Sequence, residues 1–161
     1  RYPARPDILA LRSLLAADRI DFLITDAAAR RKKILIADMD STIIANETLD
    51  DLAEKAGVAD RIKPLTDAAM RGEIDFETAL RRRVAMLKDA HVGLLADVIA
   101  QARLNDGAGH LVGTMRANGS LTVLVSGGFT IVTGVIARRA GFHLEHGNTL
   151  DFSGGRLTGT V

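Results

Sequence analysis

KILIADMDSTII, residues 33–44, is the stretch on which the reading of this chain turns. Its apolar run, Ile34–Ala37, reads as a buried strand. The run ends on two carboxylates, Asp38 and Asp40, followed by Ser41 and Thr42. Residues two apart in an extended chain share a side, so the two acids lie together. Unpaired, they would repel and one would be driven toward protonation. A divalent cation relieves that repulsion, and hard oxygen ligands beside a phosphate favour Mg²⁺. The set suits phosphoryl transfer: one carboxylate attacks phosphorus, the metal neutralises the equatorial oxygens, and the second acid protonates the leaving alkoxide. An isolated Asp-x-Asp-Ser-Thr is also an ordinary turn that opens a helix; its place at the tip of an apolar strand weighs against that.

A second apolar run, Leu121–Val125, ends on Ser126-Gly127-Gly128-Phe129 and then turns helical. A hydroxyl and consecutive unhindered amides opening into a helix can cradle a phosphate. By itself Ser-Gly-Gly after a strand is a tight turn. In an open α/β sheet, ligands gather beyond the carboxyl ends of the strands, and both loops stand at such ends.

Outward from these strands the pattern is helical. Leu49, Leu52, Ala53 and Ala56 repeat at helical spacing up to Gly57, and further helices are expected over 59–71 (Pro64 near its beginning), from Asp75 to about 88, 92–103, 108–117 and 130–139. Asp7 can cap a short helix carrying Ile8, Leu11, Leu14 and Leu15, and 20–24 (IDFLI) reads as a strand. The tail from His143 alternates around Ser153-Gly154-Gly155 and reads as a hairpin. Strand, helices, strand, helix is the grammar of an open α/β sheet, with the long helical block after the first strand inserted as a cap.

At 161 residues the chain is about one domain's worth, 47% apolar and 25% charged, an ordinary globular composition. It has no cysteine, which excludes a disulfide scaffold and a thiolate metal site. A net charge of +1 gives no footprint for nucleic acid, and Arg30-Arg31-Lys32-Lys33 reads as a solvated lead-in. No apolar run is long enough for a membrane-spanning helix. With no signal-peptide layout the chain is expected in the cytoplasm. His143 and His146 in HLEH read as surface histidines, and His91 and His110 have no visible partners.

The combination DMDST after one apolar strand and VSGGF after another resembles the haloacid dehalogenase superfamily of aspartate-nucleophile phosphatases. Residues 38–57, 68–88 and 123–130 are similar in wording to its phosphoserine phosphatase family. The resemblance implies an incomplete Rossmann-like α/β parallel sheet with a small helical cap inserted after the first catalytic strand and a C-terminal β-hairpin. In this scheme 1–30 is an unassigned N-terminal segment, 31–46 with 89–161 the partial core, and 47–88 the cap. It implies hydrolysis of the small-molecule ester O-phospho-L-serine, the last step of serine biosynthesis, through an aspartyl-phosphate with Mg²⁺. Asp38 would be nucleophile and metal ligand. Asp40 would be general acid and then base, with its carbonyl on the metal. Ser126 and the Gly127 amide would hold phosphate, Glu47 the substrate ammonium and Arg83 its carboxylate, with Met70 and Phe76 closing the cap. The residues themselves speak for Arg83: of the three arginines 81–83, it alone falls in the apolar stripe of Phe76, Ala79, Leu80 and Leu87, and a charge turned inward needs an anionic partner. Glu47, Met70 and Phe76, without the resemblance, are a first-turn acid and ordinary core residues.

Two family elements have no counterpart: a lysine beyond the Ser-Gly-Gly strand and an acidic Gly-Asp-Gly-x-Asn-Asp loop. The last lysine is Lys88, and after Ser126 only Glu145 and Asp151 are acidic. The chain is therefore expected to be the front part of such an enzyme, slow in turnover, with a bare apolar strand edge open to homodimerisation or swapping. The alternatives are a related phosphatase or phosphotransferase on another small phosphomonoester, a module that holds a phospho-amino acid without turning it over, and an assembly-forming fragment.

Overall fold

Strand β1 (Ile34–Asp38) lies parallel to β2 (Leu121–Phe129), and β2 parallel to β3 (Leu144–Asn148), in the order β1-β2-β3. The computed structural model describes residues 7–161. Its contacts divide the chain into two units, one ending at Lys32 and the other spanning Lys33–Val161. Residues 1–6 of the expected N-terminal segment lie outside the described residues.

Parallel neighbours need long crossovers, and helices supply them. Between β1 and β2 run α2 (Thr48–Lys55), α3 (Ala59–Met70), α4 (Phe76–Ala85), α5 (Gly93–Gln101) and α6 (Ala108–Ala117); α7 (Thr130–Ala140) joins β2 to β3. Pro64 falls at the sixth residue of α3, further in than a first-turn proline, and leaves the Asp60 carbonyl without its helical donor. Helices α6 and α7 pack on one face of the sheet. On that face Thr122 and Leu124 are fully buried, and Glu145 of β3 accepts a hydrogen bond from the buried Thr133 of α7. The core is this layer, continued through Leu52, Ile62, Leu80 and Val84 of α2 to α4, Leu87 just beyond α4, and Leu95 and Val98 of α5. Helix α5 touches both α2 and α7.

The opposite face of the sheet is open. Ile34, Ile36, Leu121, Val125 and Leu144 are all exposed there, with Ile36 at 66%. The reading of Ile34–Ala37 as a buried strand is thereby corrected. Among the described residues β1 pairs only with β2, so its outer edge and one of its faces meet solvent.

Two other expectations are corrected. Ile20–Ile24 joins no ladder, and Ile20, Leu23 and Ile24 are exposed; a lone five-residue segment has no neighbouring strand to pair with among the described residues. The C-terminal hairpin is only β4 (Phe152–Ser153) with β5 (Arg156–Leu157), while 144–148 joins the parallel sheet. Alternation is common to both arrangements, and the partner strand decides between them. The short hairpin braces the stretch after α4: Asp89 N–H donates to Leu157 O, Leu157 N–H to Ala90 O and Val92 N–H to Gly155 O. In the N-terminal unit, Asp7 does cap α1 (Ile8–Ala16), accepting from the amides of Leu9 and Ala10, and no residue of that helix is buried.

Candidate active site

Beyond β1 the chain makes one wide turn, residues 39–43, closed by the Ile44 amide on the Met39 carbonyl at 3.0 Å. Met39 is fully buried, which turns Asp38 and Asp40 outward on either side of it. The Asp38 carboxylate accepts from the Met39 amide at 2.8 Å. Asp40 is used at both oxygens: Oδ1 accepts from the Thr48 amide at 2.8 Å, and Oδ2 from the Ser126 hydroxyl at 3.2 Å. Glu47, at the N-cap of α2, makes no side-chain cap of its own. Asp40 thus caps that helix from eight residues upstream, a carboxylate on a positive helix end.

Ser126, Gly127 and Gly128 sit where the β2–β3 register breaks, between Val125 and Phe129, and lead straight into α7. The Ser126 Oγ accepts from the Gly128 amide at 2.8 Å. Asn148 of β3 donates to the Gly127 carbonyl at 2.9 Å and steadies the loop from the far side. Both glycines sit close to their neighbours, so a side chain at either would press on them. A Cβ on Gly128 would lie 3.0 Å from Ser126 Oγ and 3.4 Å from Asp40 Oδ2, and one on Gly127 would lie 3.0 Å from the Phe76 ring. Phe76, the first residue of α4, therefore reaches across the cradle. Met70, the last residue of α3, is 84% exposed and turns most of its surface to solvent.

Helix α4 carries its three arginines as the periodicity required. Arg81 and Arg82 are exposed, Arg81 pairing with Glu77 at 3.0 Å. Arg83 is half-buried, and its one described hydrogen bond is to the Ala79 carbonyl at 3.4 Å. Burial pulls its guanidinium below the ordinary arginine value, while Asp50 and Glu47 act in the opposite sense. Among the described residues no carboxylate oxygen lies within 4.0 Å of it. Glu47 instead accepts from the Ser41 hydroxyl at 2.6 Å.

The structure thus brings Asp40, Ser126, Gly127, Gly128 and Phe76 together and sets Glu47 and Arg83 within electrostatic reach of each other. Asp38 stands at the end of β1, opposite Val125 and next to the Ser126 loop. A groove of about 510 Å³ reaches Asp38 from the open β1 edge, lined also by Leu35, Ile36, Asn105 and Leu111. Sequence reasoning missed Thr48, Asn148 and the two asparagines that fasten the loop to the returning chain. Asn105 donates to the Thr42 carbonyl at 2.8 Å, and Asn46 accepts from the Arg103 amide at 3.1 Å, beside the Ile44–Leu104 bridge. These partners are 57 to 63 residues away in the chain, beyond any local pattern. His143, expected at the surface, is exposed and takes up the Thr122 amide at 3.1 Å.

Among the described residues no group of three or more His, Asp or Glu side chains is gathered as a metal nest. The Asp38 carboxylate, together with the Asp40 backbone carbonyl, nevertheless suits a Mg²⁺ ion, which is often held by one or two carboxylates together with substrate phosphate and water. No helix among the described residues is long and apolar enough to cross a membrane.

Residues 35–161 match the family model of haloacid dehalogenase-like hydrolases. The phosphoserine phosphatase of Archaeoglobus fulgidus is 40% identical over 132 residues, which are 82% of this chain and 38% of that protein. A solved phosphoserine phosphatase, described as a phospho-aspartyl intermediate analogue, superposes with a TM-score of 0.74 at 35% identity, covering 81% of this chain and 62% of that one. A haloacid dehalogenase family hydrolase from Salmonella enterica serovar Typhi gives a TM-score of 0.82 at 32% identity, covering 94% of this chain and 52% of the other. The chain thus spans less than two thirds of the length of each of these relatives.

Proposed function

The chain belongs to the haloacid dehalogenase-like hydrolase family, and on that footing we propose that it carries the aspartate-nucleophile half-site of an enzyme hydrolysing O-phospho-L-serine to L-serine and phosphate. The observation that carries this is the 3.2 Å hydrogen bond between Ser126 and Asp40, which joins the two strand-end loops into one site. An Asp38 oxygen attacks phosphorus, the bond from phosphorus to the serine oxygen breaks, and the leaving alkoxide takes a proton from Asp40. Asp40 then accepts a proton from water as that water attacks the aspartyl-phosphate, which releases phosphate and restores Asp38. Mg²⁺ held by the Asp38 carboxylate and the Asp40 backbone carbonyl would neutralise charge on the phosphoryl oxygens and leave the Asp40 carboxyl free for proton transfer. Ser126 exchanges Asp40 for a phosphate oxygen and frees Oδ2 toward the leaving group, with the Gly127 amide as a second donor.

Glu47 and Arg83 favour an amino-acid ester, since a zwitterion asks for one group of each sign held apart. Phe76 covers the cradle, and Met70 approaches only when the cap closes further. The division into a core (31–46 and 89–161) and a cap (47–88) belongs to the same reading, as does pairing of the open apolar sheet face and β1 edge with a second copy. With no lysine after Lys88 and two carboxylates at the strand tip, turnover by these 161 residues alone is expected to be slow.

The test is Mg²⁺-dependent phosphate release from O-phospho-L-serine, with Asp38→Asn as control. Release that survives in Asp38→Asn would refute the nucleophile. Absence of both release and calorimetric binding of phosphoserine would refute the substrate. Binding without release would favour the second reading, a module that holds the phospho-amino acid without turning it over.

A further inference from the structure

Two opposite charges set to receive a zwitterion face a difficulty: with no substrate between them they attract, and an ion pair would close the site. Glu47 and Arg83 are in this position. Glu47 is exposed at the start of α2, Arg83 is half-buried on α4, and no carboxylate lies within 4.0 Å of the guanidinium. Something holds Glu47 away. The one described hydrogen-bond partner of its carboxylate is the Ser41 hydroxyl at 2.6 Å, a length proper to a hydroxyl donating to a carboxylate.

Ser41 is itself fixed. Its backbone stands in the left-handed region, φ 49° and ψ 14°, which a residue with a Cβ adopts at a cost of about 1–2 kcal/mol. The Ser41 amide donates to the Asn46 carbonyl at 3.1 Å, the residue next to Glu47. Asn46 in turn accepts from the Arg103 amide and donates to Asp51 Oδ2 at 3.0 Å. The hydroxyl is therefore presented from a backbone with little freedom, on the turn that begins at the paired acids. A strained conformation that persists in a non-glycine residue points to a task for its side chain.

We propose that Ser41 is a positioning residue for substrate selection: its hydroxyl restrains Glu47 from closing on Arg83 and so keeps the ammonium and carboxylate subsites open at once. This rests on the assignment of Glu47 and Arg83 to a phospho-amino acid. Ser41 touches neither reacting atom in this scheme and acts through Glu47.

The test compares calorimetric affinity for O-phospho-L-serine with that for 3-phosphooxypropanoate, the same skeleton without the ammonium. Ser41→Ala removes the hydroxyl, and Ser41→Gly removes it while relieving the left-handed strain. Both should lower the preference for phosphoserine by about tenfold, the loss of one charged hydrogen bond's worth of restraint. Ser41→Asn tolerates the left-handed backbone and can donate from its amide, so it should keep the preference within about twofold. Should Ser41→Gly retain the full preference, the residue serves the backbone alone and the proposal is overturned. Glu47→Gln separates the two levels. If it leaves the preference intact, the assignment of Glu47 fails; if it lowers the preference and Ser41→Ala does not, only the role of Ser41 fails. A chain that binds neither ester overturns both.

Discussion

Replacing Arg83 with methionine should move stability and ligand recognition in opposite directions. Methionine keeps an apolar stem at this position and has nearly the helix propensity of arginine. What it removes is a guanidinium that is half withdrawn from water, with one 3.4 Å hydrogen bond to a backbone carbonyl and no ion pair. A charge so poorly compensated contributes little to the free protein, and the water that still reaches it limits the gain from deleting it. Stability should therefore stay level or rise by no more than about 1 kcal/mol. In the complex the same guanidinium would meet the substrate carboxylate, a charged contact of about 1.5–3 kcal/mol, so affinity should fall roughly 10- to 100-fold. Thermal melting with and without O-phospho-L-serine and Mg²⁺ reads both effects in one experiment. The ligand-induced rise in Tm should vanish in Arg83→Met at concentrations that shift the parent chain, while the unliganded Tm holds or rises. A variant that loses more than about 1 kcal/mol of stability and keeps its response to phosphoserine would show Arg83 to be structural.

Leu124→Ala, at the fully buried centre of β2, should cost about 3–5 kcal/mol in urea unfolding, with the loss set by how far α7 can collapse into the cavity. Hydrogen bonds from Thr78, first its side chain and then its amide, hold the Asp75 carboxyl below its ordinary value of 3.8. A carboxyl depressed in the folded state stabilises above its unfolded pKa and loses that contribution as pH falls through the folded one. The Tm advantage of the parent over Asp75→Ala should accordingly be full above about pH 4 and shrink below it; an advantage that is flat with pH would contradict the capping role. Ile36→Lys, on the open sheet face, should shift sedimentation toward monomer with stability changed by less than about 0.5 kcal/mol. If the parent chain is monomeric at high concentration, the proposed pairing of that face fails.

Periodicity placed α2 through α7 within a few residues, because an amphipathic helix writes its buried stripe locally, at three- and four-residue spacing. It also singled out Arg83 from its two neighbours, which the structure leaves on the solvent side. The Asp-x-Asp and Ser-Gly-Gly loops were legible for a similar reason: each is a short run of polar or glycine residues ending an apolar strand. What the sequence could not tell is which strands pair. Two-residue alternation looks the same in a hairpin arm and in a parallel strand, so 144–148 could be assigned only once Val123 and Val125 stood beside Leu144 and His146. Nor could it say that Ile34 and Ile36 face solvent, since an apolar side chain records a preference for burial and its neighbours decide whether burial is available. Tertiary structure alone set Ser126 against Asp40 across 86 residues and tied Thr42 to Asn105 across 63. Those bonds join parts of the chain that are neighbours only after the sheet has formed, and no local pattern encodes them.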